Sequence, residues 1–198
     1  MKPSPWRKVG MAVIFLTLAY TTSDALTIQA GALFGLRKVN DLKVQAAYKD
    51  GNVYFPYLEV QPWKDLTFSI GYEGGYSETA LLGPFQSKAD LSVTGLEFLV
   101  GYEYRIKRLA LFAKTGFGLY FYKQTVQDEY VKDYEVDRSQ STIILKGGLK
   151  LYPWKFLFLA LELKYVPLKV KPYDYEVDLG GMRYLVGFGV TFDYRKRP

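Results

Sequence analysis

The 198-residue chain contains neither histidine nor cysteine, so its side-chain chemistry is confined to carboxylates, amines, guanidinium groups and hydroxyls. The commonest general base, the commonest metal ligand, a thiol nucleophile, a disulfide scaffold and a lipid-modified cysteine all fall away. What remains is a set of charges embedded in apolar segments. Glu59, Glu73, Glu97, Glu103, Glu162 and Asp193 stand against Lys114, Lys146, Lys150, Lys164, Lys169 and Arg183, six against six. Charged groups that share a narrow interior must neutralise one another, because an unpaired buried charge is very costly. Their expected chemistry is therefore ion pairing. Ser69 falls on the same face, but no base accompanies it, and neither a metal site nor a cofactor is expected.

The elements that place these charges are read from a period of two, the signature of strands with one apolar and one polar face. The last segment is the clearest: Tyr184, Val186, Phe188, Val190, Phe192 and Tyr194 alternate with Arg183, Leu185, Gly187, Gly189, Thr191 and Asp193. The same division is predicted over 26–36, 53–60, 66–76, 91–104, 109–122, 141–152 and 157–166. Connections alternate between short turns (61–65, 105–108, 153–156) and long loops (37–52, 77–90, 123–140, 171–180). Eight strands with both termini on the turn side predict an all-β fold, an eight-stranded antiparallel up-and-down transmembrane β-barrel. With eight strands the interior is filled by side chains, so a plug of ion pairs is expected in place of a wide aqueous pore. Glu73, Glu97, Lys114, Lys146, Glu162 and Lys164 are expected in one middle layer, with Glu59, Glu103, Lys150 and Asp193 lower. A soluble lipocalin-like carrier would reverse the faces, turning Phe188 and Leu161 inward and Glu97 and Lys146 outward.

Ahead of the strands, Lys2, Arg7 and Lys8 precede an apolar run over 9–20 and small residues at Ser23 and Ala25. This is the pattern of a cleaved signal peptide, expected over residues 1–25, with the barrel domain over 26–198. The formal net charge of +6 comes partly from that segment. Much of the rest is predicted in the turns and tail, at Lys64, Arg105, Lys107, Arg108, Lys155 and Arg195 to Arg197. The loops are net acidic, and no basic groove for nucleic acid is expected.

The aromatic last strand, Gly187-Phe188-Gly189-Val190-Thr191-Phe192-Asp193-Tyr194, and the eight-strand pattern resemble the small outer-membrane barrel families typified by OmpX, OmpW and the N-terminal domain of OmpA. That resemblance implies a bacterial outer-membrane location, insertion by the barrel-assembly machinery, and contact with outer-membrane lipid and lipopolysaccharide. Trp63 and Trp154, in matching Pro-Trp-Lys turns, are expected as interface anchors. The pentapeptide Asp-Tyr-Glu-Val-Asp occurs at 133–137 and again at 174–178. Strand parity sends Tyr134, Val136, Tyr175 and Val177 inward and the carboxylates outward: the two segments extend their strands above the membrane and pack a small aromatic cluster over the mouth, or they line an extracellular vestibule for a small hydrophobic ligand, with the outward carboxylates holding divalent cations against lipopolysaccharide. The expected function is non-enzymatic: envelope integrity or limited passage of small molecules. The alternative is an adhesion protein that uses its Tyr-rich loops. Enzymatic barrels of this fold rely on His, which the chain lacks.

Overall fold

A pleated strand sends successive side chains to opposite faces, and in lipid its backbone is satisfied only by pairing on both edges. The computed structural model, which describes residues 25–63, 65–82, 87–127, 134–171 and 176–195, resolves the alternating segments accordingly. They form β1 (Ala25–Val39), β2 (Gly51–Trp63), β3 (Leu66–Leu82), β4 (Ser87–Ile106), β5 (Leu109–Gln127), β6 (Tyr134–Trp154), β7 (Leu157–Val166) and β10 (Gly181–Arg195). These eight close into an antiparallel barrel in the order β1-β10-β7-β6-β5-β4-β3-β2. The closing seam pairs β1 with β10 from Ala25↔Arg195 to Val39↔Gly181. At the loop end lie a short helix, α1 (Leu42–Tyr48), and a flap of β8 (Lys169–Val170) paired with β9 (Val177–Asp178). The expected signal peptide, apart from Ala25, lies outside the described residues.

The faces are those of a membrane barrel. Phe188 and Leu161 are 56% and 54% exposed on the outside, whereas Glu97 and Lys146 are 0% and 4% exposed in the lumen. Around the outer wall Phe68, Phe98, Phe117, Ile143, Leu163 and Phe192 are also exposed. A continuous apolar belt of this kind needs acyl chains around it, which rules out the soluble carrier. No helix among the described residues is long and apolar enough to cross a membrane; the strands do the crossing.

Several strands run further than their hydrophobic pattern. β4 has 20 residues and β6 has 21. At roughly 3.3 Å per residue and a tilt of about 40°, such strands rise about 50 Å, twice the ~25 Å apolar band. The expected loops 77–90 and 123–140 are therefore largely strand, with ladders reaching Leu82↔Ser87 and Val126↔Tyr134. Above the bilayer the polarity of the alternation reverses: Ala89, Leu91, Tyr122 and Val126 are buried on the inner face while Lys88, Lys123 and Gln127 face water, and only around Arg138, Ser139 and Gln140 are both faces exposed. The first loop holds α1, whose seven residues are too few to show helical periodicity. Asp41 caps its start, with Oδ1 accepting from the Lys43 amide at 2.9 Å.

Both Pro-Trp turns shift the register, between Val60 and Trp63 and between Leu151 and Trp154. A proline that cannot donate to the ladder is accommodated at such irregularities. Inside the barrel, aromatic rings press against glycines. A Cβ added at Gly71 would stand 2.2 Å from Phe55 Cζ, and one at Gly189 would stand 2.3 Å from Phe158 Cζ. Gly71→Val is expected to destabilise the barrel by about 1–3 kcal/mol through overpacking. Combined with Phe55→Ala it should cost less than the sum of the two single changes. Urea unfolding of the lipid-reconstituted barrel, followed by its heat-dependent gel mobility, measures both.

Candidate functional site in the lumen and mouth

Strand register aligns the lumen charges in a way that parity does not reveal. Lys114 of β5 is the direct ladder partner of Lys146 of β6, Lys146 of Lys164 of β7, Lys164 of Arg183 of β10, and Arg183 of Arg37 of β1. Five cations thus form one row across five adjacent strands. Because strands tilt against the barrel axis, a row of ladder partners climbs as it goes round. It starts low in the lumen at Lys114 and ends near the mouth at Arg37. The facing wall carries Glu59 on β2, Glu73 on β3, and Glu97 and Glu103 on β4; Glu162, on β7, is the acid within the basic wall.

The two walls are joined by ion pairs through the lumen. In the lower group Lys114 pairs with Glu59. Lys150 Nζ reaches Glu59 Oε1 at 3.2 Å, Glu103 Oε2 at 2.5 Å and Gln29 Oε1 at 2.6 Å. The Tyr152 hydroxyl donates to Glu103 Oε1 at 2.8 Å. In the middle, Lys146 Nζ lies 2.5 Å from Glu162 Oε2 and 4.6 Å from the centre of the Phe55 ring. In the upper group Lys164 pairs with Glu73 and lies 2.7 Å from Glu97 Oε1. Arg183 Nη2 lies 3.2 Å from Glu73 Oε1. The Tyr120 hydroxyl is 2.5 Å from Glu97 Oε1 and 3.2 Å from Glu73 Oε2. The strands bearing Lys164 and Glu73 stand opposite each other in the barrel, as do those bearing Lys150 and Glu59. These side chains close the lumen across its full width.

Of the charges anticipated in the lumen, Glu59, Glu73, Glu97, Glu103, Lys114, Lys146, Lys150, Glu162, Lys164 and Arg183 are buried together. Asp193 is a correction: it has the inward parity but lies exposed at the turn-side rim, accepting from Thr27 Oγ1 at 2.8 Å. Strand β10 continues past the end of the lumen. Lys169 is likewise exposed, in β8, paired with Glu176 at 2.9 Å; that ammonium holds the Glu176 carboxyl below its usual range. Lys114 is a second correction, joining the lower group and not a common middle layer. Counting up from the turns assumes level layers, whereas ladder rows climb. Arg37, Gln29, Tyr120 and Tyr152 complete the network unanticipated. Arg37 continues the inward parity of Gln29, Gly31 and Gly35, a signal obscured by ending the first strand at Leu36.

Above the upper group, buried apolar residues of the extended strands, among them Leu91, Tyr122 and Val136, pack with Val170 and Leu179. Between them, α1 and the flap lies a cavity of about 460 Å³. Its walls include Val44, Ala47, Tyr48, Leu91, Tyr122 and Leu179, with Asp41, Lys43 and Glu176 among the lining. Gln124 Nε2 donates to the Tyr48 hydroxyl at 2.7 Å. Of the four expected vestibule residues, Val177 lines this cavity and Val136 is buried in the adjoining cluster. Tyr175 and the side chain of Tyr134 lie outside the described residues. Trp63 and Trp154 are exposed at the turn end, Trp154 stacked on Phe156 with ring centres 6.5 Å apart. Among the described residues no group of three or more carboxylates could hold a metal ion.

Lys164→Met would leave Glu73 and Glu97 buried with one cation fewer. The expected cost is about 3–5 kcal/mol, the range for breaking a buried pair from one side. Adding Glu97→Gln should recover part of it, and a double-mutant cycle by urea unfolding measures the coupling.

No protein-family model and no curated protein matches the chain. Solved structures match it through most of its length. The outer membrane protein OprG of Pseudomonas aeruginosa superposes with a TM-score of 0.61 at 10% identity, covering 86% of this chain and 96% of that one. Ail, the attachment invasion locus protein of Yersinia pestis, solved with the heparin analogue sucrose octasulfate, gives 0.55 at 14% identity over 86% and 100%. Neisserial surface protein A gives 0.51 at 14% over 85% and 99%. The chain therefore has the fold of the small eight-stranded outer-membrane barrels, and its apolar belt is the surface by which such a barrel crosses a membrane.

Proposed function

We propose that the protein is a non-enzymatic barrel whose extracellular mouth receives small, largely apolar molecules above a lumen closed to free diffusion. The observation that carries this reading is the conjunction of the cavity under α1 with the cross-lumen ion pairs beneath it. The cavity's volume suits a small ligand, and its walls are mainly apolar. Apart from Arg37, the buried charges of the lumen are paired with one another, which suits a structural closure better than catalysis. The Ser69 hydroxyl is out of contact with solvent and has no hydrogen-bond partner among the described residues, and the chain has no His to activate it. On this reading residues 1–25 are removed as a signal peptide, and the barrel-assembly machinery inserts the remainder. Lipid surrounds the belt, with lipopolysaccharide on the loop side and Trp63 and Trp154 anchoring the turn side. No nucleic acid is involved.

An adhesive role is the second reading. It is favoured by the upper parts of β3 to β6, which stand above the bilayer as a paired sheet, and by the likeness to Ail. Ala47→Trp fills the cavity and separates the two. Binding of a small alcohol such as hexanol to the barrel in phospholipid nanodiscs should fall at least tenfold, with the folded fraction unchanged. Retained binding would reject the cavity as the receptor site.

A further inference from the structure

The climbing row of cations is matched by carboxylates at every step but its last. Lys114 has Glu59, Lys146 has Glu162, Lys164 has Glu73 and Glu97, and Arg183 has Glu73. Arg37 is fully buried and has no carboxylate within ion-pair distance among the described residues. Its Nη2 donates to the Leu179 carbonyl and its guanidinium lies 4.1 Å from the centre of the Tyr76 ring. Its Nε and Nη1 have no hydrogen-bond partner among the described residues. Its direct ladder neighbour is a second buried guanidinium, Arg183. Like charges directly opposite in a ladder repel, and a buried guanidinium without a counter-ion is strongly unfavourable. Counted over the buried charges described, Arg37, Lys114, Lys146, Lys150, Lys164 and Arg183 face Glu59, Glu73, Glu97, Glu103 and Glu162, an excess of one positive charge.

The excess sits behind the wall of the mouth cavity, separated from it by Leu179. Leu179, whose carbonyl occupies one donor of Arg37, also lines the mouth cavity. We propose that the barrel mouth binds a monovalent organic anion, an amphiphile with one carboxylate. Its head displaces the Leu179 carbonyl and pairs with Arg37, and its apolar part lies in the cavity against Val44, Ala47 and Leu91. One carboxylate cancels the single excess charge and, in place of the Leu179 carbonyl, takes Nη2 together with the unpartnered Nε, the bidentate edge that guanidinium favours. A cationic amphiphile of the same size would add to the repulsion between Arg37 and Arg183. This inference rests on the cavity being a receptor site and adds the chemical class of its ligand.

The test titrates the mature barrel in zwitterionic nanodiscs with hexanoate, hexanol, hexylammonium and sodium chloride at neutral pH. Amide resonances of Ala47, Leu179 and Gly180 report the cavity and its floor. Hexanoate is expected to shift all three saturably and to bind at least tenfold more tightly than hexanol. Hexylammonium is expected not to bind. Arg37→Gln should abolish the advantage of hexanoate while leaving hexanol unchanged, and Arg37→Lys should restore part of it. Hexanoate binding no better than hexanol, or equal binding of hexylammonium, overturns the anion site in the native chain and does not depend on a variant that folds. Chloride alone shifting Leu179 and Gly180 and competing with hexanoate would assign Arg37 to an inorganic ion and overturn the amphiphile. If neither hexanol nor hexanoate shifts Ala47, it is the receptor reading of the cavity that fails.

Discussion

Neutralisation across the lumen is the constraint on which the interior depends. Lys114, Lys146, Lys164, Arg183 and Arg37 are ladder neighbours, an arrangement that repels at every step. It holds because Glu59, Glu73, Glu97 and Glu103 reach over from the facing strands, with Glu162 inserted between. The attraction acts between walls, not along them, so it draws the barrel inward and fixes which strands face one another. Buried ion pairs are weak evidence for added stability, but here they set geometry: a slip of register by one residue would turn the charges of that strand toward the acyl chains.

Aromatic packing complements the charges. Phe55 lies between the ammonium groups of Lys146 and Lys164, 4.6 and 4.2 Å away, and presses on Gly71. Phe112 and Phe158 flank Lys150 at 5.4 and 5.2 Å. The rings present their electron-rich faces to the cations and exclude water from them. The lumen glycines make this possible, since side chains there would occupy the space of the rings.

The faces of the barrel were legible in the chain because a strand pattern of period two is local. Glu97, Lys146, Phe188 and Leu161 fall where alternation places them. Height and register are not local. They depend on strand tilt and on the ladder shifts at Pro62 and Pro153, so Asp193 was expected too deep and Lys114 too high. The upward extension of β6 was legible in the pentapeptide at 133–137, whereas the extensions of β3 to β5 and α1 escaped: above the bilayer the apolar face is the inner one, the reverse of the pattern within it. Arg37 stood at that boundary, between a strand that was expected to end and a loop that was expected to begin.

The twin Pro-Trp turns have a mechanical corollary. The β2–β3 and β6–β7 connections occupy opposite points of the barrel's circumference, so the exposed indoles of Trp63 and Trp154 form the two ends of a diameter. Headgroup contacts at such points resist sinking equally on both sides and oppose rocking in the plane that contains them. Rocking about the line that joins them is opposed by smaller rings, the exposed Tyr104 beside the β4–β5 turn and Tyr194 near the end of β10, so the cylinder would be held more stiffly in one plane than in the other.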